Sequence, residues 1–97
     1  MPILSSDVIQ EKLKLLPSWK LIQGEIVREA SFKDFVAAMQ FVNRVAEDAE
    51  SAGHHPDIDI RYNKVRLALV SHDAGGLTQR DFNLATKIEA GLLTGTS

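Results

Sequence analysis

The stretch Asp57–His72, DIDIRYNKVRLALVSH, constrains the fold more than any other. Ile58, Ile60 and Tyr62 alternate with Asp57, Asp59 and Arg61, the period of a strand with one buried face. Apolar residues resume from Val65, so Asn63-Lys64 reads as a two-residue hairpin loop and Val65 to His72 as the returning strand. In that register Tyr62 pairs with Val65, Ile60 faces Leu67 and Ile58 faces Leu69, all on the side that packs on helices. Continued outward, the same register brings His55 opposite His72, with Cβ atoms about 5 Å apart. It also opposes Arg61 to Arg66, an unfavourable pairing unless solvent or an acid intervenes.

The rest of the chain reads as scaffold for this hairpin. Ser6-Asp7 starts a short amphipathic helix whose face carries Ile9, Leu13 and Leu16 and which stops before Pro17. Trp19 to Ile22 and Glu25 to Phe32 read as strands joined through Gln23-Gly24, and Trp19 reads as a core residue. A long helix starts at Ser31 or at Lys33-Asp34 and runs to about Ser51. Its core stripe is predicted to be Phe35, Met39, Val42, Ala46 and Ala49. Phe41 falls off that stripe, Glu47 and Asp48 lie well away from it, and Glu50 sits at its edge. Gly53 suits a left-handed helix end. Ala74-Gly75-Gly76 reads as a flexible connector. Thr78 begins the last helix, with Asp81 three residues on, a capping-box spacing with Asp in place of Glu. Asp81, Ala85, Ile88 and Leu92 form one stripe, and the tail Leu93–Ser97 is expected to fray. The order of elements predicts an α+β fold, a four-stranded antiparallel sheet with three helices on one face (α-β-β-α-β-β-α).

Composition bounds the function classes. A chain of 97 residues predicts a single domain, residues 1–97. A net charge of −2 argues against a nucleic-acid partner or an anionic membrane surface. The absence of cysteine removes disulfide and thiolate chemistry. No basic-then-apolar leader and no membrane-length apolar run is visible, which predicts a cytoplasmic protein.

All three histidines, His54, His55 and His72, fall between Glu50 and Asp81. Histidine titrates nearest neutrality, so three gathered together suit proton transfer. His54 and His55 follow a helix C-terminus, where the dipole favours positive charge. Pro56 pushes His55 toward extended backbone. His54 points away from His55 if the chain stays extended, or back toward it if the chain bends before Pro56. Glu50 reads either as a site carboxylate or as a solvated helix acid, and Asp81 as a site carboxylate, a cap or both. Three histidines and a carboxylate could also make a zinc site, but adjacent histidines diverge and no His-x-x-x-His helix is present, so no metal is expected.

Glu50, three residues, His54-His55-Pro56, five residues, Tyr62, nine residues, His72, eight residues and Asp81 together resemble the pattern of the pterin-4a-carbinolamine dehydratase family. The flanking words Tyr62-Asn63-Lys64-Val65, His72-Asp73-Ala74-Gly75-Gly76-Leu77 and Arg80-Asp81 are similar as well. One position departs, since many members carry an aromatic two residues after the proline and this chain has Ile58. The resemblance implies the same α+β architecture. It also implies dehydration of 4a-hydroxytetrahydropterin (4a-hydroxytetrahydrobiopterin) to quinonoid dihydropterin in tetrahydrobiopterin recycling, without metal or redox cofactor. On that reading His54, His55 and His72 are catalytic, and Glu50, Pro56 and Asp81 bind the pterin or tune the histidines. The resemblance further implies a homodimer or a dimer-based tetramer. The alternative is a non-catalytic dimerisation or transcriptional coactivator-type module, which would have no need of the histidine set.

Overall fold

A computed structural model describes residues 2–93, and of the expected fraying tail residues 94–97 lie outside the described residues. The elements are α1 (Ser6–Lys14), β1 (Trp19–Ile22), β2 (Glu25–Ser31), α2 (Phe35–Ala52), β3 (Asp57–Arg61), β4 (Lys64–Leu69) and α3 (Gln79–Leu93). The strands form one antiparallel sheet in the order β1-β2-β4-β3, with the three helices on one face, as the sequence predicts. β4 is therefore central, and β3 lies at the edge.

Local chemistry sets most boundaries. The Ser5 hydroxyl accepts from Val8 N–H and caps α1. Gln23 (φ 51°) and Gly24 (φ 82°) make a two-residue turn with both central residues left-handed, which matches the twist of the β1-β2 hairpin. Asp34 Oδ1 accepts from Ala37 N–H at 2.8 Å and starts α2. Gly53 (φ 63°, ψ 31°) ends it. There Gly53 N–H donates to Glu50 O at 3.2 Å and His54 N–H to Ala49 O at 3.1 Å, the paired bonds of a Schellman motif.

The second hairpin departs from the expected register by two residues. Arg61 pairs with Lys64, Ile60 with Val65, Ile58 with Leu67 and Asp57 with Ala68, so the loop is Tyr62-Asn63. Asn63 fixes it there: its carbonyl accepts from Phe32 N–H at 2.9 Å and its Nδ2 donates to Phe32 O at 2.7 Å. A slip of two leaves every side chain on its original face, so hydrophobic alternation alone cannot detect it. Tyr62 becomes an exposed turn residue at φ 53°. The expected clash of Arg61 with Arg66 also disappears, because Arg66 stands between Glu29 and Asp59.

α2 is also rotated from the expected stripe. Ala37, Ala38, Phe41, Val42, Val45 and Ala49 are buried, whereas Phe35 and Ala46 are exposed. Phe41 stacks on Phe32 with ring centroids 5.0 Å apart. Val42 and Ala49 of the expected stripe stay buried, and the face is turned so that Phe41 joins them against Phe32. The core then runs from Trp19, Ile26, Val65, Leu67 and Leu69 on the sheet to Phe82, Leu84 and Ile88 on α3.

Candidate functional site

The site grows from the end of the β3-β4 hairpin where β3 begins and β4 finishes. Asp57 pairs with Ala68, and the same register carried past the strands sets His54 level with Ser71 and His55 level with Val70. The expected facing of His55 and His72 is thereby replaced. The Schellman turn settles the open question of His54, because it swings the ring inward to 8% exposure.

His54 Nε2 lies 2.5 Å from Asp81 Oδ1. Asp81 is fully buried, as are Ser71 and Thr78 beside it. Its second oxygen, Oδ2, accepts from Ser71 Oγ at 2.9 Å and from Thr78 N–H at 2.9 Å. The bond to Thr78 N–H is one half of a capping box, so Asp81 is both cap and histidine partner. A carboxylate only accepts, which puts the hydrogen of this contact on His54 Nε2 and leaves Nδ1 as the free nitrogen of the ring.

His55 sits outside. Its Nε2 lies 2.6 Å from Glu50 Oε2, and both side chains are largely exposed, at 62% and 78%. Glu50, expected at the edge of the buried face, is thus solvated and paired with histidine at the same time. Pro56 is half-buried next to this pair.

His72 is exposed on the loop after β4. It borders a groove of about 300 Å³ lined also by Gln23, Gly24, Glu25, Val70, Gly75 and Gly76. The expected flexible connector is instead closed tightly on Ser71, whose carbonyl accepts from Ala74, Gly75 and Gly76 N–H while its own N–H donates to Gly76 O. Arg80 Nη2 bonds Asp73 Oδ1 at 2.6 Å across this loop, and that bond holds the Asp73 carboxyl below its ordinary range. Ile3 covers the outside; a Cβ at Gly76 would come within 3.2 Å of its side chain.

A larger groove of about 470 Å³ lies on the open sheet face among Glu29, Asp59, Arg61 and Arg66, and no histidine lines it. Of the expected site residues, His72 alone lines the smaller groove; Glu50, His54, His55, Pro56 and Asp81 do not. Ser71 escaped the sequence reading. Its signal was its position beside His72, in the phase that turns inward as β4 ends. Among the described residues, no cluster of three His, Asp or Glu side chains converges on a common point, and no helix is long and apolar enough to cross a membrane.

The family model described as pterin 4 alpha carbinolamine dehydratase matches residues 2–91. A protein of Acidobacterium capsulatum, provisionally named as a pterin-4-alpha-carbinolamine dehydratase, is 68% identical over 90 residues, covering 93% of this chain and 98% of that protein. One of Chloroflexus aurantiacus with the same provisional name is 58% identical over 89 residues, covering 92% and 96%. A crystal structure titled transcriptional coactivator/pterin dehydratase from Brucella melitensis superposes with a TM-score of 0.87 at 33% identity, covering 91% of this chain and 96% of that one. The chain belongs to the pterin carbinolamine dehydratase family. A pterin dehydratase-like RuBisCO assembly factor shares the fold at 22% identity and a TM-score of 0.64.

Proposed function

We propose that this chain dehydrates a 4a-hydroxytetrahydropterin to the quinonoid dihydropterin, the step that returns pterin after aromatic hydroxylation, and that it does so by histidine acid–base chemistry in the cytoplasm. The observation that carries the reading is the buried His54–Asp81 pair, which is tied to Ser71, the residue just before the exposed His72. A base takes the proton from the ring nitrogen next to C4a, and the freed electron pair forms the C=N bond. The C4a–O bond breaks, and the hydroxyl leaves as water after taking a proton from an acid. Water is the only species expelled and no electrons leave the system, so the step needs no redox partner.

His54 and His72 are the acid–base pair. His54 works through Nδ1, because Asp81 occupies Nε2. His72 borders the open groove, where a leaving hydroxyl can depart into water. His55 orients the pterin and shares proton traffic with its partner Glu50. Glu50 Oε2 is engaged by His55, so Oε1 is the oxygen offered to ring N–H donors, with Pro56 as the adjoining apolar surface. Asp81 is sealed from solvent, so it acts through His54 and not on the ligand. The related Brucella protein is described as a transcriptional coactivator as well as a pterin dehydratase, which supports a second, binding role. A binding module alone gives no reason to bury a histidine–carboxylate pair.

The test is the dehydration rate with the spontaneous reaction subtracted. Each of His54→Ala and His72→Ala should lower kcat by about 10²–10⁴-fold, the usual worth of an acid–base group. The double variant should lose less than the product of the two, as groups acting as a unit do. Near-wild-type turnover in both single variants rules the mechanism out.

A further inference from the structure

Ser71 lies one residue before His72 and is fully buried, and its two ends do different work. Its backbone closes the loop that carries His72: three N–H groups converge on its carbonyl, and its own N–H reaches Gly76 O. Its hydroxyl is part of the support beneath His54. Ser71 Oγ donates to Asp81 Oδ2 at 2.9 Å and lies 2.8 Å from Thr78 Oγ1. A hydroxyl has one hydrogen, and that of Ser71 is spent on the carboxylate, so Thr78 must be the donor in the hydroxyl–hydroxyl contact. Thr78 Oγ1 in turn accepts from Arg80 N–H at 3.3 Å. The count closes into one directed chain from Arg80 N–H through Thr78 and Ser71 to Asp81, whose other oxygen accepts from His54 Nε2–H.

We infer that Ser71 is a positioning residue for both members of the proposed acid–base pair. Its backbone sets the His72 loop, and its hydroxyl locks the Asp81 rotamer that holds His54 with Nδ1 free. The inference rests on the dehydratase reading for its kinetic consequence, but not for its structural one. Asp81 has no exposed surface, so water cannot replace a lost Ser71 donor. The carboxylate would keep only Thr78 N–H on that oxygen and would gain torsional freedom. His54 would then spend less time in the productive orientation.

Two readouts separate this role from simple packing. In the wild type, the Nε2–H proton of His54 should give a distinct, slowly exchanging NMR resonance. In Ser71→Ala it should broaden through exchange, while the melting curve stays cooperative. kcat should fall about ten- to a hundredfold, the span set by a lost donor to a charged group, with KM changed less than kcat. Ser71→Thr, which keeps the hydroxyl, should restore both signal and rate. Thr78→Val, which removes only the upstream hydroxyl, should show the same change in smaller measure and guards against a misfolded Ser71→Ala. An unchanged His54 resonance with wild-type kcat in Ser71→Ala overturns the inference. So does a loss of rate confined to KM. A wild-type protein that shows the resonance but dehydrates nothing overturns the proposed function and leaves the positioning of His54 supported.

Discussion

At the scale of single residues, Asp81 carries the most consequence. Its two oxygens receive three hydrogen bonds from three different parts of the chain: the α2-β3 link, the end of β4 and the start of α3. Asp81→Asn should preserve the shape of the site and invert its hydrogen-bond logic. With the amide oxygen kept toward Ser71 and Thr78, the NH₂ meets His54 Nε2. That ring must then accept there and carry its hydrogen on Nδ1. The wrong tautomer should lower kcat by up to about 10⁴-fold, the loss seen when the carboxylate of a serine-protease triad is changed to an amide. Stability should fall by about 1–3 kcal/mol, for the mismatched buried group. Turnover and a thermal melt measured on one preparation check both.

At the scale of elements, the charged group inside the sheet's helix-facing side is the unexpected feature. Arg28 shares its strand face with Ile26 and Ala30, and it meets Glu89 of α3 at 2.9 Å. Trp19, opposite Arg28 on β1, donates its Nε1–H to the same carboxylate at 2.8 Å. Burial by itself would push the Glu89 carboxyl up. The hydrogen bonds from Arg28 and Trp19, with the Arg28 charge, outweigh that and hold it below its ordinary value of 4.5. A carboxyl lowered in the folded state adds stability above its unfolded pKa, and that stability is lost as pH falls through the folded value. Glu89→Gln should therefore melt below the wild type near neutral pH, by about 1–3 kcal/mol for the lost charged partner. The gap should shrink once pH drops below 4.5. Melting temperatures of both proteins from neutral pH to the acid limb test this, and a gap independent of pH would contradict it.

At the scale of the whole molecule, the chain leaves apolar surface uncovered. Phe35 and Val36 at the start of α2 are exposed, as is Leu15 after α1. Phe41, off the expected α2 stripe, adds nothing to this surface, since it is buried. The exposed pair on α2 is contiguous and lies on a long helix, a surface suited to a second copy of the chain. The protein should behave as a homodimer or a dimer-based tetramer. Light scattering at micromolar concentration should return at least twice the 10.7 kDa chain mass. A strictly monomeric mass would refute this.

Short-range chemistry determined what the sequence could reveal by itself. Hydrophobic period, Gln23-Gly24, Asp34, Gly53 and the Thr78–Asp81 spacing each act within a few residues, so element order and the α+β architecture were legible without a structure. The histidines and carboxylates were legible as a set, because they lie at fixed spacing in one stretch. Three features were decided only by contacts between distant segments. Asn63 reaches back to Phe32 and moves the β3-β4 register by two, which alternation cannot sense. Phe41 joins the buried face of α2 where it packs on the Phe32 ring. The folding of α3 against the end of β4 brings Ser71, Thr78 and Asp81 together beneath His54, sorting the carboxylates into one sealed partner and one exposed partner. Burial and hydrogen-bond direction are properties of that assembled environment, and no local pattern encodes them.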